Sequence, residues 1–297
     1  MDESQETESQ ETESQETEQR KNLYVCVQGG IGNQLFQIAA GHGWMKKYPD
    51  RYILTYLGPT PNEPTVLKKI MAQENYRYEP LSKVIPKLKE YYLHGKLFFY
   101  DEDKPHTNAY VHNDTVLDSV HNIDVYMSGY FQNEKYFKEY KEKFQLYYVE
   151  EDRVTDLIQK YPSAQNSYFI HVRRGDYVNH GFLGIDLTIY FKSSIFYILN
   201  KEENPHFYII SDDIEYCKQS PIFENINKTF IEGSSELDDF HLIYLCKKGG
   251  ICSNSTFSWW GSYLNQNPEK TVIFPKKWAN TDKPVDIFYE YSTTMPV

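Results

Sequence analysis

The feature that most constrains the fold is a regular alternation of apolar runs and helical segments in the second half of the chain. Runs rich in apolar residues predict strands at 168–172, 206–210, 228–231, 249–252 and 271–274. Helices are predicted between them, near 187–200, 213–218, 235–247 and 255–265. Strands that alternate with helices over short links form a parallel sheet covered on both faces. The class predicted for this half is therefore α/β.

The first half follows a similar but less regular pattern. Strands are predicted at 23–27, 52–56, 96–100 and 124–130, and helices at 33–47, 81–93 and 152–160. A further helix is expected to begin at Phe131 and to carry Tyr136, Phe137 and Tyr140. The helix at 152–160 stops before Pro162, where we place a domain boundary. We therefore expect an N-terminal α/β domain over residues 22–162 and a C-terminal α/β domain over residues 163–297.

The first 21 residues differ from the rest in composition. Residues 3–17 repeat Glu-Ser-Gln-Glu-Thr three times, and no apolar residue occurs between Asp2 and Asn22. Nothing there can offset the entropy of ordering, so we expect a disordered acidic tail. Residues 1–20 carry −7 of the net charge of −11, and the remainder carries −4. No basic face dominates, so no nucleic-acid partner is expected.

Cysteine spacing and hydropathy indicate the compartment. The four cysteines, Cys26, Cys217, Cys246 and Cys252, have no CxxC spacing, which argues against a zinc site. Three of them lie in or beside apolar runs, as is typical of reduced, buried thiols. No apolar run reaches the roughly 18 residues of a membrane span, and the N-terminus is acidic. We expect a soluble cytoplasmic protein without signal peptide, transmembrane segment or membrane anchor.

The strand at 168–172 is followed by Arg173, Arg174, Gly175 and Asp176. Burying a guanidinium group is costly, so arginines at the carboxyl end of an interior strand generally face an anion. Ligand crevices in open α/β sheets lie at those ends, and the planar fork of Arg fits a phosphate with two parallel hydrogen bonds. Three interpretations stay open: an Arg–Asp pair that stitches the loop, a diphosphate site, and a nucleic-acid contact.

Two later strands end in polar residues at the same edge of the predicted sheet. Asp212 and Asp213 would accept hydrogen bonds from a ribose or a guanine edge, or would cap the next helix. The third strand end carries four hydroxyl residues at a helix start: Ser253, Ser255, Thr256 and Ser258. Free amides at a helix start favour an anion, whereas capping explains only one hydroxyl. Together these residues suit a nucleoside diphosphate that leaves during a transfer reaction, whereas the following Trp259 and Trp260 fit core packing better than a sugar platform.

A glycine loop, Gln28-Gly-Gly-Ile-Gly-Asn-Gln34, connects the first strand to the first helix. The dinucleotide fingerprint requires Gly or Ala at position 35, which is Leu, and an acid at the end of the next strand, which is missing. A P-loop is excluded because no Gly-Lys-Ser/Thr follows. Either a ligand approaches this turn closely or it is a plain strand-to-helix turn.

Three acids in a row follow the strand at 96–100. Asp101, Glu102 and Asp103 would either bind a divalent metal through hard oxygen ligands or form a solvated turn. The solvated turn is the simpler interpretation, because Lys104 and Pro105 follow directly.

Several separated motifs, taken in order, resemble the α-1,2-fucosyltransferases of glycosyltransferase family 11. They are Gly29-Gly-Ile-Gly-Asn-Gln-Leu-Phe36, Gly129-Tyr-Phe-Gln132, His171-Val-Arg-Arg-Gly-Asp-Tyr177, Ser211-Asp-Asp-Ile214, Asn254-Ser-Thr-Phe-Ser-Trp-Trp-Gly261 and the run from Ile273 to Trp278. The likeness covers about residues 23–280, and their shared order is more specific than any single motif. Animal members carry an N-terminal membrane anchor, whereas this chain has the acidic repeat.

The resemblance implies a GT-B architecture of two facing Rossmann-type α/β domains with parallel sheets. It implies metal-independent, inverting transfer of L-fucose from GDP-fucose to the 2-hydroxyl of a galactose-type acceptor. The C-terminal domain would bind the nucleotide sugar, and the N-terminal domain would face the glycan acceptor. No cofactor or metal is expected. The alternatives are another GDP-sugar as donor, or a protein that binds nucleotide or glycan without catalysis.

The resemblance also implies roles for individual residues. Arg173 and Arg174 would grip the diphosphate, with hydroxyls and amides supplied by the helix start at Asn254, Ser255, Thr256 and Phe257. The nucleotide side would include His171, Asp212 and Asp213, and the first domain would line the cleft with Gly30, Gly32 and Asn33. The candidate catalytic residues are Arg173, Arg174, Asp176 and Asn33. Asp176 either acts as the base on the acceptor hydroxyl or orients the arginines.

Overall fold

The computed structural model describes residues 20–58, 77–102, 112–113 and 115–297, with the side chains of residues 145–147 excepted. Most of the predicted acidic tail, together with Asp103, lies outside these ranges. Two sheets organise the described part of the chain, and every strand pair in them is parallel. This confirms the predicted class of two α/β domains with parallel sheets.

The first sheet has the strand order β3-β2-β1-β5-β4. Its strands are β1 (Lys21–Cys26), β2 (Tyr52–Gly58), β3 (Arg77–Pro80), β4 (Leu97–Asp101) and β5 (Asp124–Ser128). Its helices are α1 (Ile31–Lys47) and α2 (Leu81–Leu93). Successive side chains of a strand point to opposite faces, so Leu23 and Val25 join the core shared with α1, and Tyr24 packs with Val84 and Leu88 of α2.

The chain between the two sheets corrects one prediction. Instead of a helix from Phe131, two short 3-10 turns (Glu134–Tyr136 and Lys138–Tyr140) precede helix α3 (Lys141–Tyr148). Asn133 caps the first turn by accepting a hydrogen bond from the backbone N–H of Lys135. Tyr136 in the first turn and Phe137 between the two turns are both buried, and the break in the helix lets these neighbouring side chains point into the core.

The second sheet has the strand order β11-β10-β9-β6-β7-β8. Its strands are β6 (Tyr168–Val172), β7 (His206–Ser211), β8 (Asn227–Phe230), β9 (Gly249–Ile251), β10 (Thr271–Pro275) and β11 (Thr293–Met295). The remaining helices are α4 (Glu151–Lys160), α5 (Thr188–Leu199), α6 (Ile214–Gln219), α7 (Glu236–Leu245) and α8 (Thr256–Leu264). The strands and helices predicted for this half are confirmed to within two residues, and only the edge strand β11 was not predicted.

Helices α1 and α8 hold the two sheets together through aromatic side chains. The ring centroids of Phe36 and Trp259 lie 4.5 Å apart, and those of Phe36 and Trp260 lie 5.1 Å apart. Both tryptophans are fully buried, which confirms the prediction that they pack in the core. The junction between the domains is therefore an apolar contact between the first half of α1 and the middle of α8.

Helices α3 and α4 precede the proposed domain boundary at residues 161–162 but contact helices of the second sheet. Arg153 on α4 pairs with Asp238 on α7, and the backbone N–H of Glu150 donates to Nε2 of His241 at 3.0 Å. The domain limits given above remain predictions. All four cysteines are buried free thiols, as expected.

Candidate active site at the domain junction

The strand order reverses at one point in each sheet. In the first sheet β2 and β3 lie on one side of β1, and β5 and β4 lie on the other; in the second, β6 is flanked by β7 and β9 in the same way. Ligands of open α/β sheets bind outside the carboxyl ends of the strands at such points. The loops found there are the glycine loop after β1, residues 129–133 after β5, the arginines after β6 and residues 252–255 after β9.

The two arginines are held by three aspartates. Arg173 pairs with Asp176 (Nη2 to Oδ1, 2.6 Å) and with Asp212 (Nη1 to Oδ2, 3.1 Å). Arg174 pairs with Asp213 (Nε to Oδ2, 3.0 Å). Ion pairs therefore hold the arginine loop in place, as the interpretation of an Arg–Asp pair within the loop expects. The side chains of Arg173 and Arg174 nevertheless stay 37% and 30% exposed, so both guanidinium groups can still contact a ligand.

A cavity of about 290 Å³ lies against these guanidinium groups. Arg173, Arg174, Tyr177 and Asn254 line it, together with residues 183–186. The end of β6 and the turn after β9 therefore reach one pocket. Asn254 forms part of its frame, because its buried amide donates to the carbonyls of Leu183 (3.0 Å) and Trp278 (2.9 Å).

The two aspartates after β7, Asp212 and Asp213, bind the arginine loop. Asp212 accepts from the backbone N–H of Arg174 at 2.8 Å, and a Cβ on Gly175 would lie 2.5 Å from its Oδ2. Asp213 caps α6 by accepting from the N–H of Tyr216 at 3.2 Å. The hydrogen bond from Arg174 lowers the pKa of the Asp213 carboxyl. Both acids keep the guanidinium groups in place, and the capping interpretation of Asp213 is confirmed.

His171 lies beneath this surface rather than in the cavity. It is 5% exposed, and its Nδ1 lies 3.0 Å from the hydroxyl of Ser253. Burial, together with the positive charge of Arg173, lowers the pKa of His171 to about 3. The ring is therefore neutral at pH 7 and connects β6 to the turn after β9.

Most hydroxyls of this turn have partners inside the protein. Ser255 caps α8 by accepting from the N–H of Phe257 at 3.3 Å, and the hydroxyl of Ser258 donates to the carbonyl of Ser255. Thr256 is different, because its hydroxyl donates to Oδ1 of Asn33 in the other domain at 3.0 Å. The hydroxyl-rich sequence thus builds the helix start and the domain junction.

The glycines of the first domain have different roles. Gly30 is exposed at the start of α1, and a Cβ there would meet nothing within 4 Å. Gly32 is buried, and a Cβ would lie 2.5 Å from the Thr256 carbonyl carbon and 2.7 Å from the Phe257 nitrogen. Gly32 therefore allows α1 and α8 to touch. Gly29, to which no role was assigned, has a φ of +82°, a value that favours glycine.

Asn33 connects three parts of the chain. Its Oδ1 accepts from the Thr256 hydroxyl and also from Nε2 of Gln132 at 2.8 Å. Gln132 lies in a motif noted above, but nothing in the sequence indicated its partner. The glycine loop, the loop after β5 and the start of α8 therefore meet at one side-chain amide.

Of the three acids predicted at this strand end, Asp101 closes β4, Asp103 lies outside the described residues, and Glu102 is buried. Glu102 is 1% exposed and accepts from the backbone N–H groups of Tyr130 (2.8 Å) and Phe131 (2.7 Å). No group of three or more His, Cys, Asp or Glu side chains is placed to hold a metal ion in residues 20–58, 77–102, 112–113 and 115–297. The interpretation of Glu102 as part of a solvated turn is wrong, because its carboxylate organises a buried loop.

Comparison with known proteins defines the class and then the family. Two parallel α/β domains with a cationic pocket at a strand-order reversal define an α/β protein that binds an anionic ligand at the carboxyl ends of its strands. The profile described as Glycosyl transferase family 11 matches residues 110–288. The chain therefore belongs to glycosyltransferase family 11 and is a glycosyltransferase.

Two curated relatives are named as glycosyltransferases. An α-1,2-colitosyltransferase of Escherichia coli is 33% identical over 168 residues, which cover 52% of this chain and 56% of that protein. The O-antigen biosynthesis glycosyltransferase WbnK of Escherichia coli is 27% identical over 292 residues, with 86% and 94% covered. The structure of NodZ α-1,6-fucosyltransferase soaked with GDP-fucose matches with 11% identity and a TM-score of 0.47, covering 83% of this chain and 93% of that one.

In the part of the chain that the structure describes, every helix is too short or too polar to cross a membrane.

Proposed function

We propose that this family 11 glycosyltransferase moves L-fucose from GDP-fucose to the 2-hydroxyl of a galactose-type acceptor, with inversion and without a metal ion. The observation that carries the proposal is the cavity at the reversal between β6 and β9, where Arg173 and Arg174 face Asn254. A diphosphate there would meet two oriented guanidinium groups. The curated relative whose name specifies an α-1,2 linkage supports that part of the proposal.

The reaction that these residues would support is a displacement at the anomeric carbon. The acceptor hydroxyl attacks, the bond to the diphosphate breaks, and negative charge grows on the leaving phosphate. Arg173 and Arg174 would stabilise that charge as preorganised donors, because their aspartate partners fix both guanidinium groups before the donor arrives. Each charge-assisted hydrogen bond contributes about 1.5–3 kcal/mol.

The proton of the acceptor hydroxyl has to leave in the same step. Asp176 is one candidate base, and its carboxylate already pairs with Arg173 at 2.6 Å. That contact supports the orienting role more directly than the basic one. We therefore propose that Asp176 orients Arg173, and that the proton passes from the acceptor hydroxyl to solvent water as the new bond forms.

A second donor is favoured by a specific observation. The relative with 33% identity is named for colitose, a sugar that differs from fucose by one missing hydroxyl. The residues proposed to bind the diphosphate would serve both donors. Colitose is therefore the second candidate for the transferred sugar.

The test is transfer from GDP-fucose, GDP-colitose and GDP-mannose to galactose-terminated acceptors, with and without EDTA, followed by NMR assignment of the new linkage. We expect fucose in an α-1,2 linkage at rates that EDTA leaves unchanged. Loss of transfer in EDTA would overturn the metal-independent reaction. GDP binding without transfer to any acceptor would instead support a protein that binds but does not catalyse.

A further inference from the structure

The loop after β5 has an unusual backbone. Phe131 is fully buried and has a φ of +51°, and Gly129 has a φ of +148°. A Cβ on Gly129 would lie 2.5 Å from Cβ of Glu102. A bulky residue in the left-handed region is a genuine outlier, and such strain persists only where the surroundings enforce it.

Two buried side chains enforce this conformation. Oε2 of Glu102 accepts the N–H groups of both Tyr130 and Phe131. From the other side, Nε2 of Gln37 on α1 donates to the carbonyl of Gly129 at 3.0 Å. The loop is thus fixed to the end of β4 and to α1 before it reaches the next residue, Gln132.

Gln132 carries this constraint to the contact between the two domains. It is 6% exposed, and its Nε2 donates to Oδ1 of Asn33. Thr256 donates to the same oxygen from the other domain. With Oδ1 held by both donors, the amide nitrogen of Asn33 lies beside the exposed glycine turn, 3.0 Å from where a Cβ on Gly29 would be.

We propose that Gln132 is a positioning residue for sugar transfer, acting through Asn33. Together with Thr256 it fixes the Asn33 carboxamide so that its nitrogen donates toward the substrates in the cleft. The strained loop exists to deliver Gln132 to this position. The inference rests on the proposed function in that it takes Asn33 to face the reacting groups.

Gln132→Glu tests the direction of the hydrogen bond between residue 132 and Asn33, because glutamate has nearly the same shape as glutamine. An ionised carboxylate only accepts, so Asn33 must turn its nitrogen toward position 132 and away from the cleft. We expect kcat to fall at least about tenfold at pH 8 while the Kd for GDP is unchanged. Activity relative to wild type should recover at acidic pH, where the protonated carboxyl donates again. A loss that does not depend on pH would overturn the proposal.

A double-mutant cycle gives a second test. If Gln132 acts through Asn33, the double variant Gln132→Leu/Asn33→Ala should lose no more kcat than Asn33→Ala alone. Losses that multiply would overturn the proposal. Wild-type transfer tests the proposed function separately. If the wild type transfers no sugar, a second cycle measures the free energy of unfolding of Gln132→Leu, Thr256→Val and the double variant. Additive losses of unfolding free energy would show that Gln132 and Thr256 are not coupled through Asn33, and would overturn the proposal.

Discussion

The two strand-order reversals have the same topology and opposite chemistry. After β6, the arginine wall (Arg173 and Arg174 with Asp176, Asp212 and Asp213) consists of charged side chains that remain partly exposed. After β1 and β5, the glycine wall (residues 29–33 with Gln132) consists of backbone and neutral amides. The arginine wall can stabilise negative charge, and the glycine wall can shape the site and orient its hydrogen-bond donors.

The two walls are also held differently. Partly exposed ion pairs contribute only about 0–1 kcal/mol each, so a single substitution in the arginine wall should cost little unfolding free energy. The glycine wall is held by buried groups, among them Glu102 and Gln37, whose hydrogen bonds are costly to break. We expect mutations in the arginine wall to affect catalysis first, and mutations in the glycine wall to affect packing as well.

The largest effect is expected from the arginines. Arg173→Ala or Arg174→Ala should lower kcat/KM for GDP-fucose by about 100-fold or more, because each removes a preorganised donor from the leaving diphosphate. Arg153→Ala is the matched control, since Arg153 pairs with Glu150 and Asp238 and does not line the cavity. Steady-state kinetics below the unfolding temperature measures all three. An equal loss in the control would mean that the arginine wall has no special catalytic role.

Gly32→Ala tests the glycine wall through packing. Its new Cβ would lie 2.5 Å from Thr256, so the starts of α1 and α8 must separate. Overpacking of this kind costs about 1–3 kcal/mol of unfolding free energy. Gly30→Ala is the control for stability, because its φ of −71° suits alanine and a Cβ there meets nothing within 4 Å. If the two variants unfold at the same denaturant concentration, Gly32 does not form a tight contact between the domains.

The contrast between the walls explains what could be predicted from the sequence. Helix α2 was predicted with its observed bounds, despite Pro86, because Leu81, Val84 and Leu88 recur at helical spacing. The arginine wall was predictable because charged residues directly after an apolar strand are a local signal. The edge strands β3 and β11 are short and largely polar, so they carry no such signal.

The glycine wall depends on tertiary placement. Glu102 reaches residues 129–131 only because β4 pairs with β5 so that Asp101 lies opposite Ser128. Likewise, nothing local to Gly32 reveals that its neighbour is Thr256 in the other domain. The structure thus adds a contact between helices at Gly32, and the role in the cleft that the motif suggests for Gly32 stays a prediction.

The pH dependence of the unfolding free energy tests a titrating group that lies under the arginine wall. His171, under the arginine wall, has a pKa lowered to about 3 by burial and by Arg173. Below its unfolded pKa of about 6.5, only the unfolded state takes up the proton, so stability falls as the pH drops from there toward 3. The expected loss is about 1.4 kcal/mol per pH unit, measured by urea unfolding between pH 7 and 5. His171→Asn should flatten this slope, and an unchanged slope would place the acid-sensitive group elsewhere.

The smallest expected effect decides the role of Asp176. Its side chain is 64% exposed, and Asp212 also holds Arg173, so Asp176→Asn leaves the guanidinium oriented by its second partner. Loss of an exposed ion pair of this kind should lower kcat/KM about fivefold or less, with an unchanged pH profile. Removal of a general base would cost about 100-fold or more and would abolish the acidic limb of that profile.

Asp213→Asn provides the matched comparison, because it removes the ion pair with Arg174 while asparagine still caps α6. Similar losses in both variants, measured as kcat/KM from pH 5 to 9, are expected if both carboxylates orient arginines. A much larger loss for Asp176→Asn would make Asp176 the base. The arginine wall would then carry out proton transfer as well as charge stabilisation, and the glycine wall would be left with positioning alone.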